Sequence, residues 1–362
     1  MIKSINADIK SDFNTLYKSQ MLPVLKRYEL FRQAIFNKCV MIEIAAVIVV
    51  GLIFYIFSEI RGFWDSQYST AVRAIIVIGF VFFICWIPYH YKKKFKNGLK
   101  QRCNNMLKKC FGTLDWGYSE VDEFLIRQSQ LFGAFNRISY DDKFTGVYKQ
   151  TDFSVSETEM LYIVEGKRKM VFPVFKGVIL SFASNKNIQA HTIVTTKGDN
   201  SIRNYNPASW YAVLVVLPLL WTGYFDSSSR WMLFIGVGVI LFLIYDMIKK
   251  RRKLSSVKLE DLNFDKRFSV YSQNQIEARY LITPSFMERL NNLRTAFGTK
   301  KIKCAFFDDR IVFAISTPKD LFELGDFHRS LLDKKKVKEF YDEIMAIYNM
   351  IDYFKLSEKT GL

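Results

Sequence analysis

Two charged side chains in the second half of the chain have a spacing that could form a polar site. Glu277 and Arg279 are separated by one residue, and the sequence from 279 to 283 has the composition of a β-strand. Side chains two residues apart on a strand point to the same face of the sheet, where a carboxylate and a guanidinium form a strong, charge-assisted hydrogen bond. The spacing predicts either a pair that fixes this strand to its neighbour, which we favour, or a polar binding spot.

The histidines and serines do not form a catalytic motif. The chain has only three histidines, at His90, His191 and His328, which excludes a histidine-rich metal site. Ser255 and Lys258 have the Ser-x-x-Lys spacing of some acyl-transfer enzymes, but the motifs that accompany it in those enzymes are missing.

Paired acids are the remaining candidates for chemistry. Glu157 with Glu159, and Asp308 with Asp309, could act together as acid and base. We interpret them as exposed acids of a strand and of a hairpin turn. The sequence therefore predicts no catalytic residue, no cofactor and no metal ligand, and a protein that is not an enzyme.

The elements that position these residues include four apolar stretches, each long enough to cross a bilayer. About 18 residues in a helix extend roughly 27 Å, close to the thickness of the hydrocarbon layer. The stretches form two pairs, which predict two transmembrane hairpins over residues 39–91 and 207–248. The four predicted spans are 39–57, 74–91, 208–225 and 231–248.

Basic residues flank these hairpins on one side and indicate their orientation. Positive flanks stay in the cytosol, so both termini are predicted to be cytosolic in a bacterial inner membrane. The net charge of +17 then indicates contact with anionic lipid headgroups and argues against nucleic acid as the partner. The basic residues predicted to lie at the membrane surface are Lys92, Lys93, Lys94, Lys96, Lys249, Lys250, Arg251, Arg252 and Lys253.

Two acids fall inside the predicted spans. Glu43 and Asp246 each lie about one helical turn from the cytosolic end of a span. At this shallow depth a carboxylate can be hydrated, so these acids need not be functional. In a homo-oligomer, which the sequence leaves open, they could line a path for cations.

The soluble part of the chain has the pattern of an α+β domain interrupted by the second hairpin. Strand-like runs occupy 146–196 and 268–316, with Lys176-Gly177 as a break between two strands and Asp308-Asp309 as a tight turn. Thr283 and Pro284 are the typical start of a helix, and Pro23 should kink or split a helical run over 5–38. The predicted parts are an N-terminal cytosolic helical segment (1–38), the first hairpin (39–91), a first half-domain (92–206), the second hairpin (207–248) and a second half-domain with a C-terminal helix (249–362).

A series of short motifs over residues 95–320 resembles the bacterial domain-of-unknown-function family 3137 (DUF3137). In the first half-domain the similar residues include Asp141, Asp142, Phe153, Ser156-Glu157 and Val174-Phe175-Lys176-Gly177. In the second they include Leu259-Glu260-Asp261, Phe268-Ser269-Val270-Tyr271 and Glu277-Ala278-Arg279-Tyr280 followed by Leu281-Ile282-Thr283-Pro284. The resemblance implies membrane spans ahead of a cytosolic domain, and it carries no established activity. The hairpin over 207–248 is an addition to this simpler layout.

These observations predict a scaffold, sensor or adaptor that binds a protein or lipid partner at the membrane surface. The alternative is an oligomeric, channel-like or membrane-permeabilising effector that the cytosolic domain controls. Conductance that depends on Glu43 would favour this alternative.

Overall fold

The computed structural model describes most of the 362-residue chain, and the chain divides into two compact units. The helical unit comprises Met1–Gly117 and Phe322–Met345, and the sheet unit comprises Tyr118–Leu321 and Ala346–Leu362. The residues described are 13–59, 69–166, 169–184, 186–199, 237–238, 254–296, 299 and 301–356.

The helical unit is built mainly from two long helices. A short helix α1 (Phe13–Leu16) continues through a π-helical turn (Tyr17–Met21) into α2 (Leu22–Glu59). The second long helix is α3 (Ser69–Phe111), and the short strand β1 (Asp115–Trp116) follows it. The chain stays helical across Pro23, so the predicted split there is wrong. The wider π turn comes just before the proline, where an ordinary α-helical turn would crowd its ring.

Two helices in the described part of the chain are long and apolar enough, by length and composition, to cross a membrane. These segments are Phe13–Ile56 and Ala74–Phe111, and only 6% of the most apolar window of each is buried. They contain the predicted spans 39–57 and 74–91. The predicted spans 208–225 and 231–248 lie outside the described residues, apart from positions 237 and 238.

A buried polar network fixes the segment 322–331 to α2 within the helical unit. The carboxylate of Glu29 accepts a hydrogen bond from the Leu331 amide (2.8 Å) and one from Nε of Arg32 (3.0 Å). A guanidinium nitrogen of Arg32 donates to the carbonyl of Phe327 (2.9 Å), whose ring packs beside Phe36. Glu29 is only 4% exposed, so its partners replace the water that it loses on burial.

Glu29→Ala is expected to destabilise the helical unit by roughly 3–5 kcal/mol, because it leaves a buried guanidinium and the Leu331 amide without this carboxylate. Thermal unfolding of the full-length protein in detergent measures the loss. Lys26→Ala, an exposed position on the same helix, is the control and should change the midpoint little. An equal effect of both substitutions would contradict the role of the network.

The sheet unit contains eight of the nine strands found in the described residues. They are β2 (Arg137–Tyr148), β3 (Thr151–Val164), β4 (Met170–Ala183), β5 (Thr192–Thr196), β6 (Ser255–Val257), β7 (Phe268–Ser272), β8 (Ile302–Phe307) and β9 (Arg310–Ser316). These eight form an antiparallel sheet in the order β2-β3-β4-β9-β8-β5-β7-β6. The prediction of an α+β fold with an antiparallel sheet is confirmed. The sheet joins strands from both sides of residues 200–253.

The remaining helices are α4 (Glu123–Ser129), α5 (Leu262–Arg267), α6 (Gln275–Leu281), α7 (Pro284–Ala296) and α8 (Lys334–Tyr353). On one face of the sheet, Leu125 and Ile126 of α4 join a buried core with Met160 and Ile179. Other aromatic rings make a second core, in which Phe286 packs on Phe306 and on Phe354. Helix α8 runs from the helical unit, to which 334–345 belong, into the sheet unit.

Several local predictions are confirmed. Phe307 pairs with Arg310 around the two-residue turn of Asp308 and Asp309, where Asp308 has φ +49°, the positive value that such turns need. The hydroxyl of Thr283 caps α7 by accepting the Phe286 amide (3.3 Å). The C-terminal helix is also present.

The strand signals were less accurate. The residues from Arg279 onwards are not a strand, because the Asn274 side chain accepts the Ile276 (3.0 Å) and Glu277 (3.4 Å) amides and starts α6. Strand β4 runs through Lys176-Gly177 without the predicted break, since Gly177 adopts φ +152° within the strand. Most of β2 was not predicted, because its first residues are too polar to show an apolar alternation.

A buried ion pair lies where the chain leaves β5. Nζ of Lys303 on β8, which is 4% exposed, lies 3.0 Å from a carboxylate oxygen of Asp199 and donates to the carbonyl of Leu131 (3.2 Å). Both charged groups are largely removed from water. Each therefore depends on the other for compensation.

Lys303→Met is expected to cost the sheet unit roughly 3–5 kcal/mol, because Asp199 keeps a buried charge without this ammonium group. The double variant Lys303→Met/Asp199→Asn should recover much of the loss in thermal unfolding. Lys301→Met, at an exposed position, serves as the control. No recovery in the double variant would show that packing, and not charge, sets the cost.

Candidate functional site

A β-bulge on β2 brings three acids together. Tyr140 pairs with Thr158 and Lys143 pairs with Ser156, so Asp141 and Asp142 together stand opposite the single residue between them, Glu157. A bulge of this kind places two residues against one and re-aims their side chains. The local sequence Asp-Asp against Ser-Glu-Thr thus becomes a concentration of carboxylates.

Glu157 is the buried member of this group. Its side chain is 7% exposed, and Oε1 accepts a long hydrogen bond from the Leu321 amide (3.5 Å). Its Oε2 atom has no hydrogen-bond partner among the described residues. Burial raises the pKa of Glu157 to about 8, and the nearby charges of Asp320, Asp142 and Asp141 add to this rise. The neutral, protonated form therefore dominates near neutral pH.

The surrounding groups decide what this site can do chemically. Asp141 and Asp320 are exposed, with carboxylate oxygens within 4.8 Å of each other, whereas Asp142 is fully buried. The ammonium of Lys143 lies over the ring of Tyr140, 4.3 Å from its centroid. The arrangement can take up and release a proton near neutral pH, and it presents oxygen atoms that a hard cation prefers.

Glu277 and Arg279 do not form the predicted shared strand face. On α6, Glu277 accepts a hydrogen bond from the Gln189 amide (2.6 Å), whereas Arg279 lies on the exposed side. A separation of two residues turns side chains about 200° apart on a helix. The interpretation as a pair on a strand is wrong, and the two side chains have different surroundings.

Among the other predicted site residues, Glu43 and the basic residues 92–96 belong to the helical unit. Glu43 is on α2, where it accepts a hydrogen bond from the Cys39 thiol (3.5 Å). Nζ of Lys96 lies 2.5 Å from Glu323, and that of Lys92 lies 3.9 Å from Asp326, so two of the basic residues face protein carboxylates. Lys93 and Lys94 are exposed on α3. Asp246 and the basic residues 249–253 lie outside the described residues.

The sequence did not identify Glu157 as a site residue. The interpretation of Glu157 as an exposed strand acid is wrong, because β2, β4 and the segment after β9 cover it. A signal was present in the run Ser154, Ser156 and Thr158, all of which are buried. Val155 and Glu157 lie between these three residues, so the run has no consistent apolar face from which the sequence could indicate burial.

The fold and the site define an α+β protein with an antiparallel sheet, an acidic bulge site and two helices long and apolar enough to span a membrane. The family model described as "Protein of unknown function (DUF3137)" matches residues 173–356. The chain belongs to this family, which confirms the resemblance. The match includes α6 and Asp320 and begins after Glu157. No curated protein and no solved structure matches the chain.

Proposed function

We propose that the protein is an integral protein of the bacterial inner membrane. Its sheet unit would lie in the cytosol and act as a scaffold, sensor or adaptor for a protein or lipid partner at the membrane surface. The observation that carries this proposal is the contrast between the two units. The most apolar windows of α2 and α3 are only 6% buried, while the sheet unit buries its apolar residues in its own cores. Helices so apolar and so exposed need lipid around them.

The proposed topology has four spans, at 39–57, 74–91, 208–225 and 231–248, with both termini in the cytosol. The order of the strands supports the second hairpin. Strand β5 precedes residues 200–253 in the sequence and β6 follows them, and both strands pair with β7. A helical hairpin with its two ends on one side of the membrane can be inserted at such a place without breaking the sheet.

Among the three roles, Glu157 favours that of a sensor. A buried carboxyl that changes its charge near neutral pH is a two-state group, and its charge can be altered by a proton or by a cation. Glu157 contacts the amide of Leu321, the last residue before the chain passes to the helical unit. A change of charge there would act directly on the backbone at this connection.

Alkaline extraction of native membranes and reporter fusions test the topology. The protein should stay in the pellet at high pH, since spanning helices resist extraction. A reporter active only outside the cytosol should be active when fused at 226–230 and inactive when fused after residue 362. Release by alkali, or the reverse pattern of reporters, would contradict the proposal.

Native mass spectrometry of the protein in mild detergent tests the adaptor role against the channel. A monomer or dimer that carries a defined protein or lipid is the expected result. A ring-sized homo-oligomer, with a conductance that Glu43→Gln changes, would replace the adaptor with the channel-like alternative.

A further inference from the structure

One face of helix α6 exposes apolar and basic side chains together. Ile276 is 80% exposed and Tyr280 is 59% exposed, although both are large apolar residues. Arg279 is exposed between them. Residues at positions i, i+3 and i+4 of a helix lie on one face, so the three side chains form a single surface, which we call the α6 face.

The rotation of α6 is fixed by its other side. Ala278 and Leu281 are fully buried, and Glu277 accepts the Gln189 amide. The Asn274 cap holds the first turn. The ammonium of Lys186 lies 4.3 Å from the centroid of the Tyr280 ring, which adds a second positive charge to the α6 face.

The α6 face lies at the end of the sheet where the chain arrives from the fourth predicted span. Ser255, the first residue of β6, pairs with Ser272, the last residue of β7, and α6 begins three residues later. The predicted span ends at residue 248, and the basic run 249–253 follows it. An extended chain covers at most about 3.5 Å per residue, so Ser255 can lie no further than roughly 25 Å from the end of this span.

We propose that the α6 face docks on the headgroup layer of an anionic bilayer. This inference rests on the proposed function and names lipid as the partner of the sheet unit. Ile276 would insert among the upper acyl chains, Tyr280 would lie at the headgroup level, and Arg279 with Lys186 would contact lipid phosphates. Such a combination of apolar and basic residues is typical of helices that lie in the interface.

Leu262 is a second exposed apolar residue, and its charged neighbours differ from those of Ile276. Leu262 on α5 is 74% exposed, but Glu260, Asp261 and Asp265 surround it in sequence. It precedes Phe268, at the opposite end of β7 from α6, where Phe268 pairs with Thr196, the last residue of β5 before the chain runs on to the third predicted span. Its exposure matches that of Ile276, while these three acids oppose the attraction of Lys266 and Arg267 in the last turn of α5 to anionic lipid. The contrast between Leu262 and Ile276 therefore lies in their charged neighbours.

Fluorophore labelling in vesicles tests this inference on the full-length protein. The exposed thiol at Cys85 is replaced by alanine, which leaves only buried cysteines, and an environment-sensitive dye is attached to Gln275→Cys or, as the matched control, to Leu262→Cys. In vesicles with anionic lipid, the fluorescence emission of the dye at 275 should shift to shorter wavelength. Brominated lipid should quench it at least about twofold more than the dye at 262. Arg279→Gln, which removes the positive charge, should lower the ratio of docked to undocked protein about fivefold, the factor for a contribution of ~1 kcal/mol per basic residue.

The outcomes separate this inference from the proposed function. If the dye at 275 stays in water, or if both dyes are quenched alike, while the protein resists alkaline extraction from the same vesicles, the α6 face does not dock and the membrane topology stands. If alkali releases the protein, the topology and the docking fail together. Ile276→Asp, which changes an exposed residue and leaves the core intact, should abolish the blue shift at 275. A blue shift that persists in this variant would overturn the docking.

Discussion

Replacing Gly177 by alanine is expected to destabilise the sheet unit by roughly 3–5 kcal/mol, through steric overlap and backbone strain combined. Gly177 has φ +152°, and a Cβ atom added there would overlap the carbonyl oxygen of Ile315. It would also lie 2.9 Å from Cα of Ser316 and 2.9 Å from the amide nitrogen of Thr317. These atoms belong to the backbone, which cannot rotate away as a side chain can.

The position of Gly177 makes the effect large. It pairs with Ser316 at one end of the β4–β9 ladder, and this ladder joins β2, β3 and β4 to the other strands of the sheet. A displaced β9 therefore weakens the connection between the two parts of the sheet. Circular dichroism of the full-length protein during thermal unfolding measures the loss.

Gly198→Ala is the matched control for this substitution. Gly198 also has a positive φ, of +81°, but no atom lies within 4 Å of the position of its added Cβ. The control should cost only about 1 kcal/mol, the strain of the backbone conformation alone. Equal losses for both variants would show that conformation, and not the approach of β9, makes glycine necessary at 177.

Glu157→Gln is expected to stabilise the sheet unit by an amount that grows with pH. The folded state raises the pKa of Glu157 from 4.5 to about 8, so the folded protein binds a proton that the unfolded chain has lost between these values. Stability therefore falls as pH rises from about 4.5 to about 8, and the loss is complete above that range. Since one pKa unit corresponds to about 1.4 kcal/mol, the gain from glutamine reaches at most roughly 5 kcal/mol at alkaline pH.

Denaturant unfolding between pH 4 and pH 9 measures this difference. The two proteins should be equally stable near pH 4, where the carboxyl is neutral in both states, and should diverge as pH rises. Glu159→Gln is the control, because Glu159 is two residues further along β3 and exposed. A constant difference between the Glu157→Gln variant and the original protein at every pH would contradict a buried, titrating carboxyl.

The pH dependence also bears on the proposed sensor. If Glu157 binds its proton near neutral pH, the carboxyl that accepts the Leu321 amide changes its charge over a pH range that a cell can reach. A bound cation would compete with this proton, because the cation favours the ionised carboxylate whereas the proton makes the carboxyl neutral. Stability that shifts with pH in the original protein but not in Glu157→Gln would assign this response to one side chain.

Local signals in the sequence were sufficient for much of the fold. The turn at Asp308-Asp309, the start of α7 at Thr283-Pro284 and the C-terminal helix each depend on neighbours within a few residues. The apolar stretches over 39–57 and 74–91 depend only on length and composition. Such features can be predicted from the sequence because a short segment determines them almost by itself.

Other features depended on residues that are distant in sequence. The strand interpretation of Glu277 and Arg279 failed because a run of mixed composition suits either structure. The burial of Ala278 and Leu281 within the sheet unit, and the bond from the Gln189 amide to Glu277, favour the helix, and Gln189 lies 88 residues away in sequence. Gly177 looked like a break between two strands, yet the close approach of β9 makes it part of one strand.

The amino-acid sequence by itself determined the class of the chain: an α+β protein with apolar helices, a basic charge and the motifs of the DUF3137 family. Only the tertiary structure decided that Glu157 is a buried carboxyl and hence a candidate site residue. Its pKa depends on desolvation by β2 and β4 and on Asp320, which lies 163 residues away along the chain. Burial and electrostatic environment are sums over neighbours in space, and one strand's own residue pattern does not contain them.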